Sequence, residues 1–232
     1  MKSKMHSEKR SYDQWCAVAR SLDVVGERWT LLIVRDLLIG PKRYKDLLAG
    51  LPGIGTNLLA RRLRELEAHG LVSRTALPAP ANATVYGLTP KGAALEPVIS
   101  ALGRWGFDLL GAPRPTDAML PAPFFVSLHA SFDPNARPDL RERYAFRVDD
   151  RIFEVEVAGG RCAVREGRTF SPDATFVTDA ATLFRLRRRE LTPRQAIASG
   201  KVRVDGDPKA LERFVDAFAW SKERLARMSA SA

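Results

Sequence analysis

A short proline-rich segment near the middle of the chain most constrains how it can fold. Four of the thirteen residues from Gly111 to Pro123 are proline, and the segment has no apolar periodicity. Proline lacks an amide hydrogen and fixes its own φ, so closely spaced prolines are not expected to continue a helix or a strand. We therefore interpret residues 111–123 as a linker between two domains, residues 11–110 and residues 124–228. A length of 232 residues is compatible with two modest domains.

The charge balance narrows the class of partner. The chain carries a net charge of +10, with 16 basic and 10 acidic residues up to position 112 and 21 basic and 17 acidic residues after it. Positive charge in both parts favours a polyanionic partner without identifying one. No run approaches the roughly 18 apolar residues that span a bilayer, and no signal-like apolar stretch follows the charged N-terminus. We expect a cytoplasmic protein with no membrane partner.

The residue inventory argues against metal and enzyme chemistry. Only two cysteines, Cys16 and Cys162, and three histidines occur, and they lack the spacing of zinc ligands. Gly53 and Gly55 do not form a dinucleotide fingerprint because the third glycine and the preceding strand are missing. No paired carboxylates, nucleophile elbow or phosphate-binding loop occur at useful spacing. We expect no metal, no cofactor and no catalytic activity.

The first half has the pattern of short helices followed by a hairpin and another helix. Apolar spacing predicts helices near residues 14–25, 28–38, 44–49 and 56–69. Strand-like runs at 71–76 and 84–89 flank a loop at 77–83 that contains two prolines. Residues 90–110 then predict one long helix, which Pro97 kinks. This order predicts a mainly α winged helix-turn-helix with three to five helices and a β-hairpin wing.

The helix that begins near Thr56 has two distinct faces. Leu59, Leu63 and Leu66 form a predicted buried seam, and we expect Thr56 to cap the helix. The opposite face offers small and polar residues followed by arginine, which suits a major groove because asparagine and arginine read base edges there. The expected DNA contacts are Lys42, Arg43, Thr56, Asn57, Arg61, Arg64, Arg74 and Asn82. Helix pairs also occur in cores that never touch DNA, but the hairpin that follows favours the winged fold.

Several motifs together resemble the HxlR-type winged helix family over about residues 14–107. They are Leu22-Asp-Val-Val-Gly-Glu-Arg-Trp-Thr-Leu-Leu-Ile33, Arg35-Asp-Leu-Leu-Ile-Gly-Pro41, Leu51-Pro-Gly-Ile54, Arg62-Leu-Arg-Glu-Leu-Glu67, His69-Gly-Leu-Val-Ser-Arg74 and Tyr86-Gly-Leu-Thr-Pro-Lys-Gly92. The resemblance implies a homodimer on double-stranded DNA with a roughly palindromic operator, joined through residues 12–25 and 90–110. It departs from the family at Gly55, where a polar residue is expected.

The same resemblance makes Cys16 a candidate redox sensor. Family members that sense oxidants or electrophiles carry a cysteine near this position, often as Cys-Pro, whereas this chain has Cys16-Ala17. A buried structural thiol is the alternative. A reactive thiol should be exposed and should have a lowered pKa.

The second half resembles the sterol-carrier-protein fold over about residues 125–222. Runs at 144–148, 152–157 and 161–165 predict a three-strand antiparallel meander, followed by a strand at 172–178, helices at 180–189 and 192–200, a strand at 201–207 and a terminal helix from 208 to about 228. This order predicts an α/β (α+β) domain with a curved sheet of about five strands.

The sterol-carrier resemblance implies a hydrophobic small molecule in an apolar tunnel. The candidate wall residues are Phe125, Phe132, Phe146, Phe153, Phe176, Phe184, Phe214 and Phe218. A collapsed core without a cavity would instead make the domain an interaction or dimerisation module. The cationic run at 185–189 is typical of a solvated helix face, although it could touch phosphate or a membrane surface.

Three functional hypotheses follow. The first is a DNA-binding regulator whose binding responds to a hydrophobic effector in the second domain. The second is a DNA-binding regulator whose second domain only stabilises the dimer. The third is a lipid-like ligand carrier whose helical half binds protein. A steep salt dependence of DNA binding separates the third hypothesis from the other two.

Overall fold

The computed structural model describes residues 11–111, 113–132, 139–167, 171–218 and 220–221. The helices are α1 (Ala17–Val25), α2 (Thr30–Leu37), α3 (Tyr44–Gly50), α4 (Thr56–Ala68), α5 (Pro90–Ala93), α6 (Glu96–Trp105), a 3-10 helix (Gly106–Leu109), α7 (Pro121–Ser131), α8 (Ala180–Arg187), α9 (Pro193–Ala198) and α10 (Ala210–Phe218). The strands are β1 (Lys42–Arg43), β2 (Val72–Ala76), β3 (Thr84–Leu88), β4 (Glu142–Val148), β5 (Arg151–Ala158), β6 (Arg161–Glu166), β7 (Ala174–Thr178) and β8 (Arg203–Gly206).

The first half is a winged helix-turn-helix. Helices α2, α3 and α4 pack around an apolar cluster that includes Ile33, Leu47, Leu59 and Leu63. Strands β2 and β3 form the predicted antiparallel hairpin, and β1 adds a short third strand in the order β1-β3-β2. The two-residue strand β1 was not predicted. It anchors the connection between α2 and α3 to the wing.

The predicted long helix after the wing is broken into three pieces, α5, α6 and the 3-10 helix. Pro97 explains the first break, because its ring would clash with the carbonyl of the residue four positions earlier, Ala93. Helix α5 ends at Ala93, and Pro97 lies in the first turn of α6, where a missing amide hydrogen costs no helical hydrogen bond.

The second half is an α+β domain with one five-stranded mixed sheet, in the order β6-β5-β4-β7-β8. Strands β4, β5 and β6 form the predicted antiparallel meander, while β7 pairs in parallel with β4. The alternation of side chains along β4 sends Tyr144, Phe146 and Val148 into the core. The sheet and helices α7, α8 and α10 share one apolar core. Of the predicted terminal helix, residues 219 and 222–228 lie outside the described residues.

The two halves are in contact. Helix α7 begins at Pro121, inside the predicted linker, and packs against α2 and α6 of the first half as well as the second-half core. Ile39, which follows α2, is buried within the apolar core of the second half. The halves therefore share packing, and the prolines at 121 and 123 begin a helix because its first turn accepts proline.

Candidate nucleic-acid interface

Helix α4 is held to the body by its predicted leucine seam. Leu59, Leu63 and Leu66 are fully buried. On the opposite side, Thr56, Asn57, Arg61 and Arg64 are exposed, while Ala60 is half-buried. The structure thus separates a packing face from a polar face on the same helix, as the sequence predicts.

Arg62 fixes the orientation of α4. Its guanidinium is 7% exposed and donates hydrogen bonds to the carboxylates of Glu27 (2.5 Å) and Glu65 (2.6 Å). Its Nε donates to the carbonyl of Arg28 at 3.2 Å. A buried guanidinium with these partners ties α4 to the turn before α2. The burial of Arg62 is not predictable from the sequence, because Arg62 lies next to the exposed residues of α4 and arginine is usually a surface residue.

The turn before α4 is fixed by backbone conformation and by one tyrosine. Gly53 has a φ of +91°, which an L side chain rarely adopts. The hydroxyl of Tyr44, in the first turn of α3, donates to the carbonyl of Thr56 at 2.6 Å. Residue spacing in the sequence does not predict this contact, because Tyr44 and Thr56 belong to different helices.

The predicted cap at Thr56 is wrong. The N-cap residue is Gly55, no side chain caps the helix, and Thr56 is the first helical residue. Glycine has no side-chain oxygen to accept a bond from the first amide groups, so these groups face outward without a side-chain acceptor.

The charges on the polar face are set by one carboxylate. Glu65 accepts hydrogen bonds from Arg61 (2.8 Å) and Arg62. Burial opposes ionisation of Glu65, but these hydrogen bonds outweigh it and lower its pKa. Glu65 therefore stays ionised and partly neutralises Arg61, and Arg64 makes no ion pair with any described residue.

The wing carries two of the predicted DNA contacts. Arg74 on β2 lies opposite Tyr86 on β3 and is exposed. Asn82 is exposed in the loop between the two strands, with a φ of +36°. Both residues lie at the surface, as a contact with DNA requires.

The structure does not fit the prediction that Lys42 contacts DNA. Lys42 is 4% exposed, and its ammonium group pairs with Glu166 of the second half. A buried, paired cation has no surface to offer a phosphate. Arg43 is half-buried, and its amide donates to Asp46 at 3.3 Å at the start of α3.

An apolar surface on the first half stands apart from the polar face of α4. Helix α1 buries only Ala19 and Val25, and α6 buries none of its residues. The side chain of Trp15 is fully exposed, and that of Trp105 is 72% exposed. The exposed apolar residues in α1, in α6 and in the segments next to them, which we call the apolar surface, are Tyr12, Trp15, Val18, Leu22, Val98, Leu102, Trp105, Leu109 and Leu110. Val98, Leu102 and Trp105 are spaced four and three residues apart and so share one face of α6, and an exposed apolar helix face is typical of a protein interface.

The predicted ligand wall is a packed core. Phe125, Phe146, Phe153, Phe176 and Phe218 are fully buried, and Phe214 is nearly so. The rings contact one another: those of Phe125 and Phe153 stack at 4.2 Å, and those of Phe214 and Phe218 lie 4.8 Å apart. Phe132 and Phe184 are half-buried at the edge of this core. The prediction that these rings line an open tunnel does not fit this packing.

A small cavity lies at one side of this core, with a volume of about 10 Å³. That volume is close to the space of one water molecule. The residues around it are Phe124, Leu183, Leu186, Arg187, Phe214, Val215 and Phe218. The guanidinium of Arg187 lies over the rings of Phe124 (5.4 Å) and Trp220 (5.2 Å) and donates to the carbonyl of Ser127 at 3.2 Å. A lipid-like molecule would not fit without displacing these side chains.

The two cysteines lie in different environments. Cys16 is exposed just before α1, while Cys162 on β6 is half-buried. In the described ranges, no three His, Cys, Asp or Glu residues are placed to hold a metal ion. None of the helices in the described part of the chain has the length and apolar character needed to cross a membrane.

The fold and the exposed polar face define a winged helix-turn-helix protein with a sterol-carrier-like second domain. Comparison with known families agrees. The model of the HxlR-like helix-turn-helix family matches residues 24–112, and that of the SCP-2 sterol transfer family matches residues 129–219.

Individual relatives cover the first half. The uncharacterized regulator YvaP of Bacillus subtilis is 37% identical over 89 residues, 38% of this chain and 82% of YvaP. The uncharacterized regulator sll1512 of Synechocystis sp. is 36% identical over 95 residues, 41% of this chain and 70% of its own length. The structure of reduced YodB from B. subtilis has a TM-score of 0.37 at 35% identity and covers 45% of this chain and all of YodB. This chain belongs to the HxlR-like helix-turn-helix family and is a transcriptional regulator.

Proposed function

We propose that the protein is a homodimeric regulator that inserts α4 into the major groove of a roughly palindromic operator. The observation that carries the proposal is the exposed polar face of α4, with Asn57, Arg61 and Arg64, above a fully buried leucine seam. Asparagine and arginine can read base edges, and the uncapped amide groups at the start of α4 suit a phosphate. Arg74 and Asn82 of the wing would contact the backbone beside the groove.

The apolar surface supports the homodimer. The apolar side of an amphipathic helix normally packs against other protein atoms. When that side faces water, we expect another protein surface to cover it. A second copy of the same surface is the occupant that matches it, because a two-fold interface pairs one patch with itself. To bind two half-sites, the dimer would have to hold its two α4 helices about 34 Å apart, or a multiple of that distance, along the duplex.

For the second half, the packed aromatic core favours a structural role over that of a ligand carrier. The cavity beside Arg187 has a volume of only about 10 Å³, so a hydrophobic effector could enter it only if the side chains around it moved apart. We expect straight-chain fatty acids to leave both the thermal midpoint and the DNA affinity unchanged. A rise in the midpoint together with weaker DNA binding would establish the effector hypothesis instead.

The DNA proposal is tested with Arg61→Ala and Arg64→Ala. Each variant should weaken binding to a duplex selected from a random-sequence library by the wild-type protein, by ~1–3 kcal/mol where the arginine reads a base. Arg165→Ala is the matched control, because it removes one exposed arginine from the second half. The DNA affinity of the wild type should fall steeply as salt is added. In a plot of log affinity against log salt concentration, each phosphate contacted should add roughly 0.9 to the downward slope. Equal affinities for all four proteins would reject α4 as the reading helix.

The homodimer is tested by sedimentation. The wild type should sediment at twice the chain mass of 25.7 kDa. Leu102→Glu should dissociate it, because a carboxylate in the centre of an apolar interface is costly to bury. Met119→Glu, which changes an exposed apolar residue outside α1 and α6, should remain dimeric. A wild type that sediments as a single chain at micromolar concentration would contradict the proposal.

A further inference from the structure

A cluster of charged side chains forms where the two halves meet. Glu166, at the end of β6, pairs with the ammonium group of Lys42 on β1. Its two carboxylate oxygens also accept hydrogen bonds from Arg151 on β5, each at 2.6 Å. The bidentate geometry makes the arginine pair directional and fixes the carboxylate in place. Lys42 thus contacts a carboxylate that the second half already holds in position.

A backbone hydrogen bond joins the same two segments. The amide of Glu166 donates to the carbonyl of Ile39 at 2.6 Å, and the Ile39 side chain lies in the second-half core. Gly40 has a φ of +131°, a conformation that glycine tolerates and other residues rarely adopt. The connection between α2 and α3 is therefore docked onto the β5–β6 edge by a hydrogen bond, an apolar anchor and an ion pair.

The charges of this cluster depend on one another. Burial lowers the pKa of Lys42, although Glu166 favours its charged form. Burial works against ionisation of Glu166, but the hydrogen bond from Arg151 and the charge of Lys42 outweigh it and lower its pKa. Asp36, which is buried at the end of α2, accepts a hydrogen bond from Arg35 at 2.8 Å. Removing Glu166 would leave the Lys42 ammonium buried without its carboxylate partner.

From Lys42, a short path of contacts reaches the reading helix. Lys42 and Arg43 pair with Tyr86 and Val85 of the wing strand β3. The next residue, Tyr44, holds the first turn of α4 through its hydrogen bond to the Thr56 carbonyl. The segment from Lys42 to Tyr44 thus lies between the second half, the wing and α4.

We propose that Glu166 is a positioning residue for DNA binding, through which the second half holds β1 and α3 in the arrangement that presents α4. The inference rests on the proposed function, since it concerns the affinity of the same face for DNA. The second half is then part of the DNA-binding unit, and a change at the β5–β6 edge alters DNA affinity.

The first test is Glu166→Gln in the full-length protein. The substitution should weaken binding to the library-selected duplex by roughly 5–150-fold, the usual range of coupling between sites. Glu142→Gln is the matched control, because Glu142 forms an ion pair of similar exposure with Arg213 (2.5 Å) inside the second half alone. The control should bind DNA like the wild type at a temperature where every protein is folded. Wild-type or tighter binding by Glu166→Gln would overturn the inference.

The second test separates positioning from direct contact with DNA. If Lys42 acts through position, Lys42→Met should weaken binding without changing the salt dependence. If Lys42 touched phosphate, the log–log slope should shrink by about 0.9 for each phosphate that the variant no longer neutralises. The double variant, with both Glu166→Gln and Lys42→Met, should lose less binding free energy than the sum of the two single losses. Each substitution removes the same Lys42–Glu166 interaction. A reduced slope, or full additivity, would contradict the positioning role.

A third measurement does not depend on DNA. Hydrogen exchange at the backbone of residues 39–47 should accelerate in Glu166→Gln and stay unchanged in Glu142→Gln. If the wild type selects no duplex from the library, the proposed function fails, and exchange still decides whether Glu166 orders the segment. If the wild type binds DNA and exchange in Glu166→Gln is unchanged, only the inference about Glu166 fails.

Discussion

The two cysteines occupy opposite environments. Cys162 lies on β6, and burial raises the pKa of its thiol to about 12. Cys16 is exposed just before α1, next to the apolar surface. The nearby Arg20 donates to Asp23 at 3.4 Å and to Ser11 at 3.2 Å. Exposure makes Cys16 the accessible thiol of the pair, as a sensor would require, whereas Cys162 stays protonated at neutral pH.

We expect one fast and one slow thiol in the native protein. The thiolate is the reactive form, so Cys162 should react with an aromatic disulfide reagent far more slowly than Cys16. Stopped-flow absorbance should resolve two phases at pH 8, and Cys16→Ser should remove the fast one. A fast phase that survives in Cys16→Ser would show that Cys162 is accessible. Denaturant should bring both thiols to similar rates.

Sequence reasoning worked for residues whose role depends on local spacing. The seam of α4 was predictable because Leu59, Leu63 and Leu66 repeat at the helical period. Lys42 was misplaced because its burial depends on a partner more than a hundred positions away. The predicted phenylalanine wall shows a different limit: the pattern identified buried rings, but it could not show whether the space between them is filled.

At the scale of elements, α6 and α7 meet through a histidine. His129 of α7 places its Nδ1 atom 3.2 Å from the carboxylate of Glu96 on α6. Burial lowers the pKa of His129 below its ordinary value of 6.5, although Glu96 acts in the other direction. Helix α6 carries part of the apolar surface, so this contact links the proposed dimer helix to α7.

The lowered pKa predicts a decrease in stability in mild acid. The unfolded chain takes up a proton at His129 near pH 6.5, whereas the folded chain resists it to lower pH. This contribution is therefore complete above pH 6.5. It declines as the pH falls toward the folded-state pKa, by at most about 1.4 kcal/mol per pH unit for one proton. Urea unfolding between pH 7 and pH 5 should show a shallower decline for His129→Gln than for the wild type. Parallel curves for the two proteins would contradict the assignment.

Two elements differ from the prediction, each for its own physical reason. The first three residues of α7 fall within the predicted linker because prolines suggest irregular chain, yet proline is favoured in a first helical turn. Strand β1 has two residues, too few to show alternation, and it exists because β3 offers a free edge. By contrast, the meander of β4, β5 and β6 was predictable because each strand alternates and each turn carries suitable residues.

At the scale of the whole molecule, each half has its own apolar core, and the core of the second half includes one residue of the first. Ile39 of the first half is buried with the apolar residues of the second, and Leu38 and Ile99 pack against the same cluster. Two domains that share buried side chains lose packing on both sides when either opens. No local pattern in the sequence predicts this contact, because it arises only when the finished halves dock.

Shared packing predicts one cooperative unfolding transition. Far-ultraviolet circular dichroism and tryptophan fluorescence should give the same urea midpoint, as expected for two-state unfolding. Ile39→Ala should lower the free energy of unfolding by ~2–5 kcal/mol, the usual cost of such a cavity, and should keep a single transition. Two separated transitions in the wild type would show that the halves fold independently.

The docked segment from Ile39 to Lys42 also determines where the two domains can be separated and fused to other domains. The end of the first domain along the chain does not coincide with its boundary in space, since Ile39 is buried in the second-half core and both Ile39 and Lys42 bond to Glu166. A gene fusion that joined the second half to a different winged helix at the proline-rich segment would leave a hole where Ile39 sits, and Glu166 would keep its Arg151 partner but lose Lys42. A functional chimera would have to carry the Ile39–Lys42 loop along with the domain that it completes.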